Sequence, residues 1–158
     1  MWRLLSFSVL FISTTVIVKT RTIDQQKIID RHNHYRKMVH VPSLKYSKEC
    51  ADYAQHWAEK LALQNNGLKH SGSSKFGENI YWKSGKANGV IMVDKWAEEK
   101  KYFNSKSRKH THKNGHYSQV VWRNTEYVGI GMAIAKDGSE YWVASYYPAG
   151  NYIGEKAY

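Results

Sequence analysis

The sequence predicts an α+β fold with three layers, in which helices cover both faces of a central antiparallel sheet. Apolar residues recur at helical spacing up to about residue 100, and strand-like apolar runs follow from residue 117. Asp137-Gly138 joins the last two runs and is typical of a tight hairpin turn. Because these strands are apolar on both faces, they require helices on both sides of the sheet, in an α-β-α sandwich.

The first helix is predicted between Thr22 and Val39. Thr22 and Gln25 have the spacing of a capping box, in which side chains satisfy free backbone N–H groups at the start of a helix. Four residues then fall on one helical face: Ile28, His32, Tyr35 and Val39. This spacing places His32 at the edge of the core rather than in a metal site.

The second helix is predicted to start after Ser47, which can cap it, and to end at Asn65-Asn66-Gly67. Its buried stripe consists of Ala51, Ala54, Trp57, Ala58 and Leu61. Cys50 borders the stripe and is expected to be a small buried hydrophobic residue. It is the only cysteine in the chain, so no intramolecular disulfide can form.

The remaining elements are predicted from shorter patterns. Residues 68–86 are expected to form a loop with an extended piece from Ile80 to Trp82. A third helix starts near Asn88, and a polar, basic loop runs from Lys100 to Asn114. Three strands are then predicted: Tyr117 to Trp122, Val128 to Ala135, and Tyr141 to Tyr147.

Residues 1–20 are typical of a secretory signal peptide, which leaves residues 21–158 as one domain. Arg3 precedes an apolar stretch from Leu4 to Val18 that is short for a membrane span. Cleavage is predicted after Thr20, and an uncleaved membrane anchor is the alternative. We therefore expect secretion or, with the anchor, attachment to membranes of the secretory pathway.

The formal net charge is +11, and removal of Arg3 and Lys19 with the signal lowers it to +9. Such a surface favours anionic partners, including lipid head groups, acidic glycans and nucleic acid. No base-reading or base-stacking repeat is present, so we expect a membrane or glycan partner and no nucleic acid. We keep a homodimer as an alternative to a monomer.

Ionisable side chains that could form a functional site lie among apolar neighbours at three places. His116 follows Gly115 and precedes an apolar run, which would fix its backbone and aim its ring. Glu78 lies inside the apolar run 76–82, and Glu99 follows the third predicted helix. A carboxylate in such surroundings is costly unless it is paired.

These places belong to five blocks that occur in a recognisable order: His70-Ser71, Gly77-Glu78-Asn79-Ile80, Trp96 to Glu99, Gly115 to Trp122, and Tyr147-Pro148-Ala149-Gly150-Asn151. Through these blocks the chain resembles the CAP superfamily of cysteine-rich secretory, antigen 5 and pathogenesis-related proteins, whose common unit is the SCP domain. The missing disulfides and the Asp137-Gly138 turn make it most similar to the Golgi-associated pathogenesis-related branch. That branch is intracellular and membrane-bound, whereas the signal predicts secretion; we give the signal more weight.

The resemblance implies a central cavity that contains His70, Glu78, Glu99 and His116. His70 and His116 would bind Zn²⁺ weakly, and the two carboxylates would orient them or hold a water. Glu98 is expected to be solvated. A hydrogen-bonded network that holds the loops to the sheet without a metal is the alternative.

Two further histidines, His110 and His112, precede His116 in the basic loop. The positive charge of that loop disfavours a bound cation, so we expect both side chains to be solvated.

The resemblance implies a non-catalytic protein that binds lipids, sterols or membranes, and we assign no catalytic residue. One alternative is a hydrolase that uses a metal-bound water or a serine such as Ser84. The sequence contains no nucleophile elbow and no third metal ligand of the usual type, which disfavours this alternative. Another alternative is a venom-type or effector protein that acts on a receptor or channel.

The segment Lys100 to Lys113 is the strongest candidate for a membrane-binding surface. It contains no acidic residue and six basic ones: Lys100, Lys101, Lys106, Arg108, Lys109 and Lys113. Basic groups are attracted to anionic membranes, and Tyr102 and Phe103 are expected to enter the interface. An ordinary solvated loop is the alternative.

Overall fold

A computed structural model describes residues 18–158. The predicted signal peptide lies outside this range except for its last three residues, so its cleavage stays a prediction. No helix between residues 18 and 158 has the length and apolar character that a membrane crossing requires. The elements are α1 (Gln25–Met38), β1 (Lys45–Tyr46), α2 (Lys48–Gln64), β2 (Gly77–Lys83), α3 (Gly89–Ala97), a 3₁₀ helix (Glu98–Tyr102), α4 (Gly115–Val120), β3 (Tyr127–Ile134) and β4 (Glu140–Tyr147).

The sheet has four strands in the order β1-β3-β4-β2. β4 pairs antiparallel with β3, as the hairpin at Asp137-Gly138 predicts, and its other edge pairs antiparallel with β2. The short strand β1 pairs parallel with β3. The sheet is therefore mixed rather than wholly antiparallel. The two residues of β1 carry too weak a pattern to reveal this pairing in the sequence.

Helices cover both faces of the sheet, which confirms the three-layer α-β-α fold. On one face, α2 packs against β3 and β4 through small and aliphatic side chains that include Ala54, Ala58 and Leu61. The opposite face carries the larger core, formed with α1, α3 and α4 around aromatic side chains that include Trp96, Tyr117 and Trp142. Both layers bury apolar area, which is the main favourable contribution to folding.

Two glycines in β3 set the spacing between the sheet and α2. A Cβ atom at Gly129 would collide with the backbone of Ala51, and one at Gly131 would collide with the backbone of Gln55. The helix therefore lies directly against the strand backbone. Gln55 uses this closeness to bond the backbone of Met132, accepting from its N–H at 3.0 Å and donating to its C=O at 3.0 Å.

The start of α1 differs from the predicted capping box. The N-cap is Asp24, whose carboxylate accepts from the Lys27 N–H at 3.1 Å, and Thr22 lies outside the helix. Gln25 serves tertiary structure instead, since its side chain bonds both backbone groups of Ile130 in β3. A long-range partner has displaced the local interaction that the spacing favours.

The predicted strand from Tyr117 to Trp122 is wrong, because this run forms the short helix α4 and the turn after it. Tyr117 and Val120 lie three residues apart and both are buried in the core, as a helix requires. The run also contains Gln119, whose buried amide accepts from the Gly150 N–H at 3.0 Å and donates to Thr125 at 3.2 Å. The strand propensity of Tyr, Val and Trp reflects how well these side chains pack on a sheet surface. Here the same side chains pack in the core from a helix instead.

Candidate functional site

A pocket of about 230 Å³ lies where the loop after α2, the start of β2, the start of α4 and the C-terminal tail meet. It is lined by His70, Glu78, Asn79, His110, Thr111, His112, Gly115, His116 and Asn151. A second depression on its flank shares His70, Glu78 and Asn151 with it. Three of the four residues predicted for the cavity, His70, Glu78 and His116, therefore line one pocket.

The first turn of α4 is fixed from two sides. Asn79 of β2 donates to the carbonyl of His116 at 3.1 Å. Asn151 donates to the carbonyl of Gly115 at 2.7 Å and accepts from the Ser118 hydroxyl at 2.6 Å. These contacts bind the blocks around residues 79, 116 and 151 to one another and set the position of the His116 ring.

His70 and Glu78 form the first histidine–carboxylate pair. The His70 Nδ1 atom lies 2.6 Å from Glu78 Oε1, which also accepts from the Ser71 N–H at 3.1 Å. The Glu78 side chain is 7% exposed and the His70 side chain 61%. The hydrogen bond with Glu78 raises the pKa of His70 above its usual value, although burial acts in the opposite direction.

Glu99 and His116 form the second pair. The His116 Nδ1 atom lies 2.7 Å from Glu99 Oε1, and Glu99 Oε2 accepts from the backbone N–H groups of His116 at 2.8 Å and Tyr117 at 3.3 Å. Burial opposes ionisation of Glu99, but these hydrogen bonds outweigh it and hold its pKa below the usual value. The ring of His116 stacks on that of Trp96, with the centroids 6.2 Å apart.

Each pair leaves one imidazole nitrogen available. When a neutral histidine donates from Nδ1 to a carboxylate, Nε2 carries the free lone pair. Carboxylates that orient histidines in this way are typical around metal ligands. Glu99 lies behind His116 rather than in the pocket wall. Glu98 is exposed and pairs with Lys95, as expected of a solvated residue.

The two loop histidines that sequence reasoning placed in solvent, His110 and His112, line the same pocket. The His112 residue is exposed, but the Nδ1 atom of His110 is buried and has no hydrogen-bond partner among residues 18–158. The spacing His110-x-His112-x-x-x-His116 is the sequence feature that indicates a shared pocket for these histidines. The positive charge of the loop favours the interpretation that His110 and His112 are solvated instead.

The basic segment, residues 100–113, borders this pocket, and all six of its lysine and arginine side chains are exposed. Arg108 also holds the C-terminus, since it donates to the carbonyl of Tyr158 at 3.2 Å and stacks on its ring. Tyr102 is 54% exposed, whereas Phe103 packs against Tyr117 and Tyr158. The prediction that both aromatics can enter a membrane is therefore wrong for Phe103.

Ser84, the serine considered as a nucleophile, lies far from the pocket. Glu78 is at the start of β2, and Ser84 follows the last residue of that strand. Six residues of extended strand separate them by about 20 Å. Ser84 therefore cannot act together with Glu78.

Comparisons with known proteins agree with this architecture. The profile of the cysteine-rich secretory protein (CAP) family matches residues 29–146. The human Golgi-associated plant pathogenesis-related protein 1 is 39% identical over 132 residues, which are 82% of this chain and 85% of the relative. Pathogenesis-related protein 1 of Arabidopsis thaliana is 33% identical over 156 residues, which are 99% of this chain and 96% of the relative.

Solved structures share the fold. BmVAL-1 superimposes with a TM-score of 0.72 at 22% identity, over 85% of this chain and 81% of that protein. NaASP2 with Zn²⁺ superimposes with a TM-score of 0.70 at 24% identity, over 84% of this chain and 83% of that protein. The family profile spans most of the chain, and the human relative confirms the resemblance to the Golgi-associated branch. With its five sequence blocks gathered around one pocket, the chain belongs to the CAP family of cysteine-rich secretory proteins.

Proposed function

We propose that this chain is a non-catalytic, exported binding protein that docks on anionic lipid membranes, with lipids or sterols as its ligands and a pocket that binds Zn²⁺ weakly. Export is supported by the signal-like residues 1–20 and by a relative named cysteine-rich secretory protein 2. One observation carries the membrane proposal. The six exposed basic side chains of the basic segment lie on a stretch of chain that contains no acidic residue and that also walls the pocket.

The charge of the segment is sufficient for reversible docking. Each lysine or arginine near an anionic membrane surface contributes about 1 kcal/mol, so three engaged side chains strengthen binding by about a hundredfold. Exposed charges are screened over about 8 Å at physiological ionic strength, so docking must weaken as salt rises. Tyr102 is exposed beside Lys101 and can enter the interfacial region.

Flotation with vesicles tests this proposal. We expect the protein to float with phosphatidylserine-containing vesicles at low salt, and less so at high salt or with neutral phosphatidylcholine vesicles. Changing Lys106, Lys109 and Lys113 to Glu should abolish flotation. Arg108 is kept because it holds the C-terminus. The matched control changes three exposed lysines elsewhere, Lys37, Lys60 and Lys136, to Glu.

The two triple variants carry the same net charge, so they separate a local surface from a general electrostatic effect. Equal loss in both would mean that no particular segment docks. Unchanged flotation after substitution in the basic segment would reduce it to a solvated loop. Binding to neutral vesicles that depends on cholesterol rather than charge would favour sterol recognition instead.

The pocket residues fit a weakly held Zn²⁺ ion. Two imidazole Nε2 atoms and the carboxylate oxygen Glu78 Oε2, which has no hydrogen-bond partner among residues 18–158, are donors that this ion accepts. Among residues 18–158, no three His, Cys, Asp or Glu side chains already surround one point, so these residues form no preformed structural metal site. NaASP2, which shares the fold, was solved with Zn²⁺.

Calorimetric titration with Zn²⁺ tests the metal pocket. We expect weak binding that declines in mild acid, because both histidines must be neutral to act as ligands and Glu78 raises the pKa of His70. The double substitution of His70 and His116 by Ala should remove it. Equal affinity in that variant and in the unmodified protein would leave the hydrogen-bonded network as the role of these four residues.

A further inference from the structure

Two residues that line the pocket each contain a buried polar atom that could bind a ligand. Glu78 Oε2 and His110 Nδ1 both lack a hydrogen-bond partner among residues 18–158, and both residues line the same cavity. The Glu78 side chain is 93% buried, since only 7% of it is exposed. A buried carboxylate oxygen without a donor is costly, so its place in a pocket indicates that a donor or a cation belongs there.

We infer that His110 supplies a third nitrogen ligand to the divalent cation of this pocket, beside His70 and His116, and that Glu78 Oε2 completes the set. This inference rests on the proposed metal pocket. Three histidines and one carboxylate oxygen form a donor set suited to a borderline cation such as Zn²⁺. One cation would satisfy both partnerless atoms at once.

The backbone around His110 is held on both sides. The carbonyl of Arg108 accepts from the Ala157 N–H at 2.8 Å. The Thr111 N–H donates to the buried side chain of Asn114 at 2.7 Å. These bonds hold the backbone on both sides of His110 at the pocket wall and leave its ring to turn. His112 also lines the pocket but is exposed, so we leave it out of the proposed set.

Cation binding requires ring rotation. No three ligand side chains of residues 18–158 already converge on one point. The His70 side chain is 61% exposed, so its ring can turn once its bond to Glu78 Oε1 breaks, and the His110 ring must turn as well, whereas the Ser71 N–H holds the Glu78 carboxylate. The positive charges of the neighbouring Lys109 and Lys113 repel a bound cation. A third nitrogen ligand, from His110, would offset this repulsion by strengthening the coordination of the cation.

The experiment uses Zn²⁺ alone with the exported domain and four single variants: His70→Ala, His110→Ala, His112→Ala and His56→Ala. His56 lies exposed on α2, away from the pocket, and serves as the matched control. We expect His110→Ala to weaken Zn²⁺ binding by about tenfold or more, as loss of a ligand does, with no change in His56→Ala. A loss of that size in His112→Ala but not in His110→Ala would overturn the inference. Circular dichroism checks folding, and His110→Gln replaces His110→Ala if needed.

X-ray absorption of the Zn²⁺ complex counts imidazole ligands without any substitution. Three imidazoles in the unmodified protein and two in the His110 variant would support the inference. Equal affinity in His110→Ala, with weakened binding in His70→Ala, would overturn it while leaving the metal pocket intact. Absence of Zn²⁺ binding in the unmodified protein would overturn both the inference and the metal pocket, while vesicle docking would be judged separately.

Discussion

His32 is fully buried, and its neutral form is the one that fits its surroundings. Its Nδ1 atom lies 2.8 Å from the carbonyl of Ile28, and its Nε2 atom lies 2.8 Å from the hydroxyl of Tyr146. An Nδ1–H donor and an Nε2 acceptor satisfy both contacts. Burial lowers the pKa of His32 to about 4. The unfolded chain binds this proton below about pH 6.5, so stability declines as the pH falls from there towards 4.

We predict that His32 accounts for about 2 kcal/mol of lost stability between about pH 7.5 and about pH 5. His32→Gln cannot take up the proton, so the variant should be less stable at neutral pH but lose less stability on acidification. Urea unfolding at both pH values measures the difference. A pH dependence identical to that of the unmodified protein would contradict the prediction.

Arg36 is buried, has no carboxylate partner within residues 18–158, and is satisfied by carbonyl groups instead. It donates to Pro42 at 2.6 Å, Val120 at 3.1 Å, Trp122 at 2.8 Å and Thr125 at 2.9 Å. Burial lowers its pKa to about 10. The guanidinium therefore ties the turn after α1 to the turn after α4, near the helix that carries His116.

We predict that Arg36→Lys destabilises the protein by about 3 kcal/mol or more, because one ammonium cannot replace the planar donors and leaves buried carbonyls unpaired. Denaturant unfolding measures the loss. The exposed Arg123→Lys serves as the control and should change stability by less than about 0.5 kcal/mol. Similar losses in the two variants would contradict this account.

At the scale of elements, the contact between α2 and β3 depends on the absence of side chains. We predict that Gly131→Ala costs about 3 kcal/mol, since the added Cβ would meet the backbone of Gln55 and neither element can move easily. Gly115→Ala is the matched control, because the nearest atom to its Cβ lies 3.9 Å away. Thermal unfolding of both variants decides, and equal melting temperatures would contradict the prediction.

The elements also show what the sequence could and could not reveal. α2, with its Ser47 cap and apolar stripe, and the β3–β4 hairpin, with Asp137-Gly138, follow from local patterns and were predicted. α4 was not, because its short apolar run matches both a helix and a strand, and only the packing around Gln119 distinguishes them. β1 owes its strand conformation to pairing with a segment about 80 residues away.

The candidate site was predicted mainly through the resemblance. Nothing local indicates that His116 pairs with Glu99, which lies 17 residues away and on another element. The charges next to His110 in the sequence predict a solvated side chain. The burial of one of its ring atoms depends instead on how the tail and the loop pack together. Such a contact is set by tertiary structure and leaves no period in the sequence.

At the scale of the whole molecule, the C-terminal tail braces the basic segment. Ala157 is fully buried; its N–H donates to the carbonyl of Arg108 at 2.8 Å, and its carbonyl accepts from the Arg123 N–H at 2.7 Å. We predict that removing residues 156–158 raises hydrogen exchange at residues 104–114 and leaves α2 unchanged. Mass spectrometry after deuterium labelling measures this, and unchanged exchange in the segment would contradict the brace.

The two ends of the described chain attach to opposite ends of β3. Lys19 pairs with Ile134 at one end, and Ala157 bonds Arg123, which precedes the other. The eight residues of β3 span about 26 Å, so the chain around Lys19 lies well away from the tail that braces the basic segment. Immobilisation through a residue on that side of the domain would present the basic segment to the solution on a sensor surface, whereas attachment through the carboxyl-terminal tail would bury it against the surface.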